Sequence, residues 1–460
     1  MMAINDPTHA LHRGLAAIRN QFHVPAGFPA DVTAAAEAAA QRRPAEHADR
    51  TFLPFVTLDP ASSTDLDQAF AIERSGADLL LLYAIADIGW FVDDGGPIDA
   101  EAWRRGTTLY LPDGKAGLYP PVLSEGAASL LPDGPRPAVI FAVRISPDGE
   151  VRLDGAERAL IRSRAKLAYD AVRADQLPPE FAELAARIAA ADARRGAARV
   201  DPPEQEVARG EHGYSLSFRP RLPAEDRNAA LSLATNLAVA DLLASHGTGL
   251  FRVMDEPEEG AVRRLRYSAA AFGIAWPRDL GLRDFEKGLD ARDPAQAALM
   301  MAIRRSGGGA DYVPWRENVR PWHSAMAATY AHATAPLRRL ADRYVVATCL
   351  ALANGCPVPG PAQEAFERLP GVMARAEALG GQIERAVVDL AETVMLQDRT
   401  GEIFEAVVTD ADERGARLQL CCLPVVARVR TDGVRPGDRI RMRLTGADAD
   451  KRTLAFERIE

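Results

Sequence analysis

A chain of 460 residues, 47% hydrophobic and 26% charged, has the profile of a soluble globular protein with room for roughly two to four domains. No apolar run is long enough to span a bilayer, and the opening MMAINDPTHALHRG lacks the charged-then-apolar pattern of an export signal. The four cysteines, Cys349, Cys356, Cys421 and Cys422, show no C-x-x-C spacing, which argues against structural zinc and a disulfide framework and for the cytoplasm. A net charge of −9 weighs against a uniformly basic nucleic-acid binder, yet a basic channel can sit inside an acidic protein.

Residues 1–48 read as a helical segment. Asp6-Pro7 opens a first helix, Pro25, Gly27 and Pro29 break the chain, and Asp31 opens an alanine-rich helix that Pro44 should end. The pair is either a helix-turn-helix or a helical cap on the main domain. Residues 49–398 mix both periods, with strand-like runs at 55–58, 79–85 and 139–145 and helical patterns at 224–247, 292–305, 336–354 and 371–398. Strands early and helices late predict an α+β domain large enough to be a catalytic unit. In residues 399–460, short β-runs alternate with turns, one at 412–415, as expected of a small β-barrel. Arg428, Arg430, Arg435, Arg439, Arg441 and Arg443 offer it phosphate contacts, or form a solvated charged face, while only Phe404 and Phe456 are aromatic.

The most informative stretch is FVTLDPASSTDLDQAFAIE, residues 55–73. Asp59, Asp65 and Asp67 crowd a loop between two apolar strands, where like charges are costly unless a cation holds them. Magnesium prefers such oxygens, and two ions about 4 Å apart can activate water and stabilise a leaving oxygen. An exposed Asp-rich turn is the plain alternative. A phosphatase of the haloacid type places its Asp-x-Asp directly after a strand, unlike this loop. The Gly and late Glu of an EF-hand are absent at the required offsets.

The run Asp59-Pro60-Ala61-Ser62-Ser63-Thr64-Asp65-Leu66-Asp67-Gln68 resembles the Asp-Pro-x-x-Ser-x-Asp-x-Asp-Asp motif of the ribonuclease II / ribonuclease R (RNB) family, with Gln68 in place of the fourth acid. Further blocks follow in the family's order: YAIADIGWFVDDGGPIDAEAWRRGTTLYLPD at 83–113, SLLPDGPRPAV at 129–139, IRSRAKLAYDAV at 161–172, RRGAA at 194–198 and YAHATAPLRRLADRY at 330–344. The C-terminal barrel resembles the OB-fold RNA-binding module named for ribosomal protein S one. Family members carry two cold-shock OB-folds upstream. The short N-terminal helical segment is expected to replace them.

The resemblance implies a 3′-to-5′ exoribonuclease that hydrolyses single-stranded RNA to nucleoside 5′-monophosphates, with one or two magnesium ions, manganese substituting. Asp59, Asp65 and Asp67 would be the metal ligands, Gln68 a neutral fourth member of that shell, and Asp67 the most critical residue. Tyr110 would pack on the terminal nucleotide, Tyr169 would grip the sugar region, and Arg338 would sit over the scissile phosphate. Arg339 joins the RNA-binding set. On residue type alone, Tyr110 and Tyr169 read equally as packed tyrosines and Arg339 as helix surface charge. Arg304, Arg305, Arg316, Arg320, Arg338, Arg339 and Arg343 form a local basic patch in the sequence. Single-stranded RNA is the expected partner, with no membrane and no protein partner, the chain acting as a monomer. Two rival readings remain: a ribonuclease-like protein that grips RNA without cutting it, kept open by Gln68, and a metal phosphohydrolase of small esters, which would not need the barrel.

Overall fold

The computed structural model describes residues 2–197, 204–210, 213–219, 221–290, 293–412, 415–431 and 433–459. Its architecture is α+β, as the segregation of strands and helices predicts. At the centre lies a five-stranded sheet in the spatial order Ala48–Asp49, Val151–Ile161, Arg136–Ile145, Asp78–Ala86 and Gln68–Ser75. The last four are antiparallel neighbours, and the short first strand joins in parallel. The middle strands read DLLLLYAIA and RPAVIFAVRI, nearly continuous apolar runs. Such runs belong to strands covered on both faces. Helix Pro223–Ser245 packs across three of the strands and is buried on most of its circumference, while Phe181 of helix Phe181–Arg195 stacks on Phe70 at 5.5 Å between ring centroids. Helix Leu340–Ala353 closes against Val151–Ile161.

The two N-terminal helices do not pack as a helix-turn-helix. Helix Ala10–Gln21 buries Leu11, Leu15 and Ile18 with Ile383, Val387 and Leu390 in one core, whereas Ala30–Ala40 places Val32, Ala36 and Ala39 in the core of the central sheet. Gly14 is what lets the first helix approach so closely, since a Cβ there would meet the Leu390 methyls at 2.5 Å. Asp6 caps this helix from a distance: its carboxylate accepts from the Ala10 and Leu11 amides at 2.7 and 2.9 Å, so the helix starts at Ala10.

Helix Gly360–Leu396 runs 37 residues, about 55 Å at the usual rise per residue. The helical pattern expected from 371 starts instead at Gly360, with Pro370 inside the helix. Burial on both sides of the proline, by Phe366 and Leu369 before it and Met373 after it, carries the helix across the lost amide.

Strands Ile403–Asp412, Gly415–Leu420, Val426–Val429, Arg439–Asp448 and Thr453–Ile459 form the C-terminal OB-type sheet, all neighbouring pairs antiparallel. Phe404, Ala406 and Val408 point inward, as do Ile440, Met442 and Leu444, the period of two that a half-buried strand imposes. Arg439, Arg441 and Arg443 alternate with the latter on the exposed face. Residues 413–414 of the expected turn, residue 292 of an expected helix and Ala198 of the RRGAA block lie outside the described residues. Among the described residues no helix is long and apolar enough to cross a membrane.

Candidate active site

The acidic loop hangs between two strands that do not pair along their length. Thr57–Asp59 pairs in parallel with Lys166–Ala168, and Gln68–Ser75 enters the central sheet. The loop between them is pinned by one serine: Ser129 Oγ accepts from the Leu66 amide at 2.9 Å and donates to the Thr64 carbonyl at 2.7 Å. Leu66 is fully buried, so the aspartates on either side of it are fixed in direction.

Asp67 is buried at 6% exposure. Its Oδ1 accepts from the Leu337 amide at 2.7 Å and its Oδ2 from Arg338 Nε at 3.3 Å. Burial still pushes its carboxyl up to about 7, against the pull of Arg338. Asp59 is held likewise up to about 6 by burial, and its Oδ2 is a buried acceptor without a hydrogen-bond partner. A buried carboxylate and a half-buried one that both resist ionisation, the second with an orphaned buried oxygen, are what a bound cation would satisfy.

Asp65 is engaged by two side chains of the neighbouring hairpin. Lys115 Nζ lies 2.7 Å from its Oδ1, and the Tyr110 hydroxyl donates to its Oδ2 at 3.1 Å. Gln68, expected in the metal shell, turns its amide oxygen toward the Tyr83 hydroxyl at 2.6 Å and Ser232 Oγ at 3.2 Å. Among the described residues no set of three or more His, Cys, Asp or Glu side chains is placed to hold a metal ion. The donors that fit are Asp59 and Asp67, and magnesium commonly takes only one or two carboxylates, leaving its other positions for water and phosphate.

Arg338 reaches the loop from the far end of the sequence because the turn that carries it is stitched to the stretch before Tyr110. The Thr108 amide and the Thr107 hydroxyl both donate to the Arg338 carbonyl, at 3.0 and 2.8 Å, and the Leu340 amide donates to the Gly106 carbonyl at 3.0 Å. Tyr110 lies two residues beyond Thr108, 55% exposed, so its ring is open while its hydroxyl is held. Tyr169 joins the same group: its amide donates to the Asp59 carbonyl at 3.3 Å, and Asn228 Nδ2 donates to its hydroxyl at 3.0 Å.

Arg339 is not brought to the loop. Its guanidinium is bound to Asp342 at 3.1 and 2.9 Å. The basic patch expected from the sequence is largely neutralised, since Arg316 pairs with Glu367 at 2.6 Å and Arg343 with the buried Asp99. Lys115, Tyr83, Ser232 and Asn228 were not singled out from the sequence. Only Lys115 left a signal. Leu109–Leu111 and Gly114–Ala116 form a tight hairpin in which Tyr110 and Lys115 are direct cross-strand partners, and Pro112-Asp113, followed by Gly114, makes its turn.

Residues 48–352 match the family model described as RNB domain, and residues 402–459 match the RNase II-type exonuclease C-terminal S1 domain. Among curated proteins, Ribonuclease R 1 of Lactococcus lactis subsp. lactis is 26% identical over 397 residues, covering 79% of this chain and 48% of the relative. The chain thus spans about half that relative's length. Among solved structures, Mycoplasma genitalium RNase R in complex with ribose methylated single-stranded RNA matches with a TM-score of 0.85 at 19% identity, over 98% of this chain and 78% of that one. Yeast Ssd1, a pseudonuclease, matches with a TM-score of 0.68 at 17% identity, over 95% of this chain and 57% of that one. The match of the RNB domain over most of the chain, with the S1 domain in its place after it, means that the protein belongs to the ribonuclease II / ribonuclease R (RNB) family.

Proposed function

We propose that this chain is a 3′-to-5′ exoribonuclease that hydrolyses single-stranded RNA to nucleoside 5′-monophosphates with the help of magnesium. The observation that carries the reading is the convergence of Arg338 and Tyr110, from two distant segments, on the loop that carries Asp59, Asp65 and Asp67. Asp59 and Asp67 are the residues that would hold the ion. When bound there it would supply Lewis-acid stabilisation of the scissile phosphate and a more acidic water. Arg338 lies with Nε on Asp67 and its side chain 47% exposed, so its remaining N–H groups are available to a phosphoryl oxygen as negative charge develops. The open ring of Tyr110 offers a base-sized stacking surface with its hydroxyl anchored, and Tyr169 flanks Asp59 on the other side. The Mycoplasma genitalium relative is found with single-stranded RNA in one complex and with double-stranded RNA in another, which supports RNA as the ligand. The exposed arginines of the C-terminal sheet would contact the phosphates of that strand.

One observation favours a second reading, an RNA-binding protein that does not cut. Gln68 brings no charge, and its amide oxygen is engaged by two hydroxyls. The fold also occurs in a pseudonuclease. A 5′-labelled single-stranded RNA incubated with the protein and magnesium, with and without EDTA, separates the two. Nucleoside monophosphates that vanish with EDTA support the exonuclease. Binding without product, at any magnesium concentration, supports the second reading.

A further inference from the structure

We propose that the Lys115 ammonium acts as a resident cation at the Asp65 end of the acidic loop, so that the site takes a single divalent ion, on Asp59 and Asp67. This rests on the metal-dependent reading above and says how many ions that reading needs. An ammonium has three N–H groups and no acceptor. Lys115 Nζ finds three oxygen-bearing side chains: Asp65 at 2.7 Å, Glu125 at 3.2 Å and Thr64 Oγ1 at 3.4 Å. Thr64 in turn donates to Glu125 at 2.8 Å, which closes the ring around the nitrogen. The pocket is sheltered, with the Asp65 side chain 9% exposed and that of Lys115 23%.

A tally of donor oxygens leads to the same place. Both Asp65 oxygens have protein partners, one from Lys115 and one from Tyr110. The Gln68 oxygen receives two hydroxyls. Asp67 has a partner on each oxygen too, the Leu337 amide and Arg338 Nε, so that Asp59 Oδ2 is the buried carboxylate oxygen of this loop left without one. Charge agrees. A second divalent ion on Asp65 would meet the Lys115 charge at close range. The hairpin gives the lysine a further consequence. Tyr110 and Lys115 are cross-strand partners that both grip Asp65, so the ammonium is a positioning group for the tyrosine ring.

The test counts Mn²⁺ ions bound by the full chain, by electron paramagnetic resonance, with a phosphorothioate-linked single-stranded RNA present. Wild type should bind one ion. Lys115→Met frees Asp65 and Glu125 and should raise the count to two, and adding Asp65→Asn should return it to one. Lys115→Arg should stay at one. Lys115→Gln replaces Lys115→Met if thermal melting shows that the latter is not folded. Two ions in wild type, or one in the folded Lys115→Met or Lys115→Gln protein, would overturn the resident-cation proposal while leaving the metal-dependent reading in place. No ion in any form would overturn both.

Discussion

The two oxygens of Asp67 have opposite tasks. One accepts the Leu337 amide and so fixes the 335–339 segment, and the other holds Arg338 Nε. Asp67→Asn would remove the charge and set an amide N–H against one of those donors. The expected outcome is loss of hydrolysis with RNA binding retained, because the exposed arginines and tyrosine remain. Product release and filter binding measured on one preparation check this; wild-type cleavage rates would remove Asp67 from the chemistry. Arg338→Ala keeps the fold, since its backbone makes the stitching bonds and its side chain is 47% exposed. Losing a donor aimed at developing charge typically costs about a hundredfold in rate. Single-turnover cleavage should therefore fall by ~100-fold. A change within a factor of two would make Arg338 ordinary surface charge.

Helix Pro223–Ser245 does more than cover the sheet. It presents Ser232 to Gln68, Asn228 to Tyr169 and Asn236 to the 330–334 segment, three polar contacts on an otherwise apolar face. Asn236 is 2% exposed, donates to the Tyr330 hydroxyl at 3.0 Å and accepts from the Ala333 amide at 3.0 Å. Asn236→Ala would leave a buried amide without its acceptor, a loss of about 2 kcal/mol for groups of this kind. Urea unfolding should show that loss, together with slower cleavage, because the same segment leads to Arg338. An unchanged midpoint would mean that water replaces the asparagine. The hairpin Leu109–Leu111/Gly114–Ala116 is the second element of this kind, carrying Tyr110 and Lys115 while its Leu109 and Leu111 sit in the core shared with the N-terminal helix.

The molecule is tied together by the long helix, whose apolar stripe passes from the central core to the barrel. Near its end Glu392, 3% exposed, accepts from the Val426 amide at 2.7 Å and from Gln205 Nε2 at 2.7 Å. Burial pushes its carboxyl up to about 8. In the unfolded chain it titrates near its ordinary value of 4.5. Between those values the folded state binds the extra proton, so its stability is fully present below about 4.5 and is lost as pH rises through about 8. The loss is on the order of a few kcal/mol. Glu392→Gln keeps an oxygen for both donors and should flatten this slope, raising the melting midpoint at pH 8 more than at pH 5. Equal shifts at both pH values would mean that Glu392 is ionised in the folded protein.

Much of this was present in local sequence. A period of two or of 3.6 is a property of consecutive residues, so the apolar runs of the central sheet, the helix Pro223–Ser245 and the strands of the barrel could be read directly. The carboxylates of residues 59–67 crowd because the chain itself is short there, and the ordered blocks up to residues 330–344 carry the family. Partners far apart in the chain could not be read that way. Asp67 and Arg338 meet across 271 positions, Gln68 and Ser232 across 164, and Lys115 and Asp65 across 50. Gln68 shows the reason. In the sequence it is the fourth member of an acidic run, but a strand alternates its side chains, and packing put Tyr83 and Ser232 where its amide oxygen points. Residue type and spacing raised the expectation of a cation near this loop. Only the tertiary structure decided which oxygens are left to hold one, because a hydrogen-bond acceptor is free or taken according to what the rest of the fold brings against it.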